Sequence, residues 1–138
     1  MWSAEFSAET HAARENVWRQ WADVARWPEW NGDIERVELV GPFAEGGRIL
    51  MTPVGEEEIE LRIAEAVEPE LFVDEAKLGG VVVTTTHRVE ALGGGRARVT
   101  YRMEITGPEA ETLGPQVGPQ ISADFPDTLA ALVARAER

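Results

Sequence analysis

From residue 33 to residue 106 the chain reads as one strand after another, with no helical segment between them. Alternating or β-rich stretches cover 33–40, 47–53, 57–67, 71–78, 81–91 and 97–106. Their separators are turn chemistry: Gly41-Pro42, Gly46-Gly47, Pro53-Val54-Gly55, Pro69, Gly79-Gly80 and Gly93-Gly94-Gly95. Connections this short hold no crossover helix, which favours antiparallel hairpins over βαβ units. Alternation is cleanest in the last strand. There Val99, Tyr101, Met103 and Ile105 share one face, and Thr100, Arg102, Glu104 and Thr106 the other.

The flanks differ. Residues 2–8 read as a further half-buried strand, with Trp2, Ala4, Phe6 and Ala8 set against Ser3, Glu5 and Ser7. Over 12–24 the period becomes helical, Ala13, Val17 and Trp21 sharing a face with Trp18 and Ala22 beside it. Pro28 interrupts, and Trp27 to Gly32 reads as a short helical turn or a loop. After Gly107-Pro108 a second helical stripe runs through Leu113, Val117, Ile121, Phe125, Leu129 and Leu132 or Val133. Pro115, Pro119 and Pro126 lie inside it, and an interior proline costs about 3 kcal/mol and kinks the axis. The spacing therefore predicts a helix bent or broken near Gly114–Pro119 and firm over 120–136.

A one-sided sheet needs an apolar cover, and the only large cover here is the C-terminal helix. A sheet of about seven strands is wider than a helix of about 10–12 Å. The sheet must curl, and part of its inner face is left for a cavity. The expected class is α+β over residues 1–138 as a single domain. A curved antiparallel sheet wraps a long C-terminal helix, and two short helices follow the first strand.

Composition narrows the function. A chain of 138 residues buries enough surface to need no disulfide or metal staple, and it has no cysteine. That removes thiolate zinc sites, iron–sulfur clusters and a cysteine nucleophile. Thirteen basic residues face 25 acidic ones, a net charge of −12, which repels phosphate backbones and anionic headgroups. Neither a nucleic-acid partner nor membrane insertion is expected, and the first residues show no secretory pattern, so a cytoplasmic location is expected. The two histidines, His11 and His87, lie far apart without a ligand spacing, and no phosphate loop or nucleophile elbow is present. No metal and no cofactor is expected.

Residues 17–31, Val-Trp-Arg-Gln-Trp-Ala-Asp-Val-Ala-Arg-Trp-Pro-Glu-Trp-Asn, resemble the polyketide cyclase/dehydrase family of the START-like (SRPBCC) superfamily. The likeness continues at Gly41, Gly46-Gly47, Pro69, Thr86-His87-Arg88-Val89, Gly95 through Thr100, and Gly107-Pro108, and so spans the chain. It implies a helix-grip fold with a deep apolar cavity between sheet and helix. It implies no particular reaction, since members include aromatase/cyclases, lipid carriers and quinone-binding proteins.

His87 shares parity with Val81, Val83, Thr85 and Val89, and Tyr101 lies in the apolar set of the next strand. Such a group buried without a partner costs about 1–3 kcal/mol, so each needs the other, water or a ligand. Trp18 and Trp21 read as packing; Trp27 and Trp30 read either as packing or as a cavity mouth. Asp74 and Glu75 are adjacent on a strand and point to opposite faces, so they cannot act jointly; Asp124, one step from Phe125 on the helix, is a minor candidate for the cavity border. The expected cavity wall comprises Trp27, Trp30, Met51, Leu61, Phe72, Val83, Thr85, His87, Tyr101, Met103, Val117, Ile121 and Phe125. The leading expectation is a monomer or homodimer that binds a small apolar molecule, including aromatic or polyketide-like ones. The alternative is a cyclase, aromatase or dehydratase in which His87 and Tyr101 hold or move the proton. A third reading, a protein-interaction module, is opposed by the charged outward strand residues, such as Arg62, Arg88 and Glu104.

Overall fold

The computed structural model describes residues 1–138. The strand patterns form β1 (Trp2–Thr10), β2 (Ile34–Val40), β3 (Arg48–Pro53), β4 (Ile59–Val67), β5 (Leu71–Leu78), β6 (Val81–Gly93) and β7 (Arg96–Thr106). α1 (Arg14–Ala22) and a 3-10 helix (Val24–Glu29) follow β1; α2 (Ala110–Ser122) and α3 (Phe125–Ala136) follow β7. The strands make one antiparallel sheet in the order β1-β7-β6-β5-β4-β3-β2. From β2 to β7 each strand pairs with its chain neighbour. β1 crosses to the far side and pairs with β7, from Trp2 opposite Ile105 to Thr10 opposite Ala97. The turn between β6 and β7 uses Gly93, Gly94 and Gly95 at φ of 87°, 62° and 77°, a region that disfavours any side chain.

The sheet is curved and grips the bent C-terminal helical segment, which is the helix-grip fold. Register shifts between Ile34 and Arg36, Ile63 and Glu65, and Ala91 and Gly93 bend individual strands. α2 and α3 lie over β1, and α2 also reaches β7 and β6. α1 fills the space between α3 and β6, and the 3-10 helix covers β2. No helix is long and apolar enough to cross a membrane.

The C-terminal segment breaks later than its prolines suggest. The helix is continuous through Pro115 and Pro119 and ends at Ser122, and Pro126 opens α3 in its first turn. Pro115 and Pro119 are four residues apart on the solvent side, so the carbonyls they leave unpaired reach water. The Ser122 hydroxyl donates to the Gly118 carbonyl at 2.9 Å as the helix ends. The buried face of α2 also differs from the apolar stripe: it is Ala110, Gly114, Gly118 and Ser122. The Trp2 ring lies against Gly114 and Gly118, where a Cβ would collide with it. The small residues let the helix approach, and Ile121, one expected wall position, turns outward at 37% exposure.

Candidate functional site

Two neighbouring rows of side chains cross the inner face of the sheet. Register places Phe72, His87, Tyr101 and Phe6 in one row, from β5 to β1. The next row is Ile63, Asp74, Thr85, Met103 and Ala4, from β4 to β1. Residues that pair across strands share a face, so Asp74 points inward with Thr85 and Met103. It was not among the site residues expected from the sequence. The signal was there in Phe72-x-Asp74-x-Ala76, where it occupies the parity of two buried apolar neighbours.

The first row is packed ring against ring. The His87 imidazole stacks on Phe72 with centroids 3.9 Å apart, and meets Tyr101 edge-on at 4.6 Å. The Trp21 indole N–H, from α1, donates to the Tyr101 hydroxyl at 3.1 Å. Phe125 at the start of α3 closes on Phe6 and Tyr101. The centre of the interior, where the resemblance implies a deep apolar cavity, is thus occupied by aromatic side chains.

Nδ1 of His87 lies 3.2 Å from the Phe72 carbonyl. A carbonyl only accepts, so Nδ1 carries the proton and Nε2 presents a lone pair. That Nε2 lies 3.9 Å from Oδ2 of Asp74, beyond direct hydrogen bonding. Burial pulls the His87 imidazole down to about 3, against the opposing pull of the Phe72 carbonyl. Burial pushes the Asp74 carboxyl up to about 7, and the adjacent Glu75 carboxylate adds to the rise. The Tyr101 hydroxyl is raised by burial, opposed by the Trp21 hydrogen bond and helped by Asp74.

Asp74 is 8% exposed and Thr85 7%, and neither side chain has a hydrogen-bond partner in the protein. The only side-chain polar atom both sealed from solvent and unpartnered is Nε1 of Trp30. The oxygens of Asp74 and Thr85 are therefore not fully sealed from solvent. Half-buried Met51 on β3 and Val117 on α2 pack against the core.

The other expected wall residues divide. Leu61, Phe72, Val83, Thr85, His87, Tyr101 and Met103 are inside. Trp27 is a core residue, its indole N–H donating to the Trp21 carbonyl at 3.0 Å, and Trp30 and Phe125 are half-buried. Asp124 is exposed at the break between α2 and α3, where its carboxylate faces Asp33 and raises that group's pKa. Two surface depressions lie elsewhere. One, of ≈ 330 Å³, is bounded by Arg19, Gln20, Asp23, Arg26, Arg135 and Arg138. The other, of ≈ 370 Å³, lies on the outer face of β4 and β5. No group of three or more His, Asp or Glu side chains is placed to hold a metal.

A curved seven-stranded sheet around a bent C-terminal helical segment defines the class by its fold, the helix grip. The chain belongs to the polyketide cyclase/dehydrase and lipid transport family, whose profile matches residues 1–137. Among solved structures it is similar to an aromatase/cyclase from Streptomyces sp. R1128, at TM-score 0.78 and 14% identity, covering 99% of this chain and 93% of that one. A norcoclaurine synthase point mutant from Thalictrum flavum aligns at TM-score 0.75 and 17% identity, over 99% and 96% of the two chains. A START superfamily protein from Mycobacterium smegmatis aligns at 0.76 and 15%, over 98% and 97%. At these identities the likeness is one of fold. Comparison with curated protein sequences finds no match.

Proposed function

We propose that this protein binds a small, largely apolar molecule, of aromatic or polyketide-like shape, between the inner face of the sheet and α2. The observation that carries this reading is the pair Asp74 and Thr85: inward-facing, only 8% and 7% exposed, and without a side-chain hydrogen bond to the protein. Buried polar groups are normally satisfied, and a ligand group or water beside them supplies what the protein does not. Met51 and Leu61, on the neighbouring strands β3 and β4, offer apolar wall on the same sheet, and His87 and Tyr101 extend the polar edge. Family membership and the aromatase/cyclase neighbour support the same class of ligand. The lack of cysteine fits a reducing cytoplasm as the setting. Native mass spectrometry of the purified protein, with fluorescence titration against planar apolar probes, tests the reading. Saturable uptake of one molecule per chain is expected; no uptake of any probe would overturn it.

The second reading is catalysis of cyclisation or dehydration on such a ligand. The Asp74–His87 geometry favours it, because one group holds a proton near neutral pH and the other a free lone pair. Incubation with a polyketide-like substrate checks it. Turnover should fall in Asp74→Asn, His87→Ala and Tyr101→Phe, and unchanged turnover in all three eliminates the assignment.

A further inference from the structure

Asp74 is the only Asp, Glu, Lys or Arg among the 33 buried residues of the chain. All 13 basic residues lie at the surface or on the outer face of the sheet, and none is buried. The inner face at Asp74 and Thr85 therefore presents a carboxyl and a hydroxyl, with no cation to neutralise an incoming anion. A ligand carboxylate there would be desolvated without a counter-charge and held against a second carboxyl. Both costs are large in an apolar interior. A ligand hydroxyl or amine meets the opposite situation once Asp74 is ionised, since the carboxylate accepts a hydrogen bond from either and pairs with a cationic amine.

We propose that Asp74 is a specificity-determining residue. The end of the ligand buried against the Asp74–Thr85 pair carries a hydrogen-bond donor, a hydroxyl or an amine, and molecules of the same shape ending in a carboxylate are rejected. This rests on the binding reading above and goes further, for it excludes free fatty acids and aromatic acids from a site whose apolar walls would otherwise accept them. His87, neutral and with its lone pair towards Asp74, supplies no positive charge. Tyr101 has its oxygen engaged by the Trp21 indole. Neither changes the sign of the selection.

The test uses the full chain at about pH 8.5, above the titration of Asp74, and four probes of one shape: naphthalene, a naphthol, a naphthylmethylamine and a naphthoate. Isothermal titration should show the naphthol and the amine binding at least about tenfold more tightly than the naphthoate. In Asp74→Asn, which keeps the volume but cannot ionise, the amine-to-naphthoate ratio should fall by about tenfold or more. That ratio responds to charge beside the ligand, whereas a purely structural weakening lowers every affinity together. Naphthoate binding the wild-type chain as tightly as naphthol, or a ratio unchanged in Asp74→Asn, overturns the specificity and leaves the binding site standing. If no probe binds, naphthalene included, the site and its specificity both fall. The wild-type comparison needs no variant, so an unstable Asp74→Asn leaves the outcome decisive.

Discussion

Nε2 of His87 and Oδ2 of Asp74 lie 3.9 Å apart on neighbouring strands, and burial shifts the two groups in opposite directions. The carboxyl is held in its neutral form to higher pH than usual, and the imidazole in its neutral form to lower pH.

The two shifts oppose each other in the pH dependence of stability. Asp74 moves from 3.8 to about 7, so over that window the folded chain binds more protons than the unfolded one, and stability falls as pH rises. His87 moves from 6.5 to about 3, so the unfolded chain binds more protons there, and stability falls as pH drops. Where the windows overlap the slopes offset each other. Relative to wild type, Asp74→Asn should gain stability with rising pH across the overlap, and His87→Phe should lose it. Urea unfolding over a pH series reads both; difference curves that are flat for both variants would refute the shifts.

Tyr101→Phe removes the acceptor of the Trp21 indole N–H, and Trp21 is 1% exposed. A buried donor left unpaired costs about 1–3 kcal/mol. The urea midpoint should fall accordingly with the m-value unchanged. An unaltered midpoint would mean that the hydrogen bond contributes nothing net.

Gly118→Ala separates helix propensity from packing. On an exposed helix the change stabilises by about 1 kcal/mol. Here the new methyl meets the Trp2 ring, and overpacking of this kind costs about 1–3 kcal/mol. The packing effect is the larger, so Tm should drop. A raised Tm would show that α2 leaves room for a methyl group against the Trp2 ring.

Ile121 and Leu132 belong to one apolar stripe but differ in burial, 37% against 0% exposed. Leu132→Ala should cost about 2–5 kcal/mol by chemical denaturation. Ile121→Gln should change stability by no more than about 0.5 kcal/mol and leave ligand affinity as it was. A large loss in the second variant would restore Ile121 to the wall.

Alternation was legible in the sequence because a strand sends successive side chains to opposite faces whatever its partner is. That local property was enough to turn Tyr101, Met103, Thr85 and His87 inward, to order the hairpins from β2 to β7, and to demand a helical cover. The same parity turned Asp74 inward, but a carboxylate is so seldom buried that residue type argued against its position. Tertiary structure decided the rest. Neighbouring stripes on α2 offered either Val117 and Ile121 or Gly114 and Gly118 to the sheet. The bulk of Trp2, on a strand distant in sequence, selected the glycines. Pro115 and Pro119 left the helix intact because they fell on its solvent side, where water satisfies the freed carbonyls. The shifts of Asp74 and His87 likewise follow from burial, which depends on everything packed around a group and on nothing beside it in the chain.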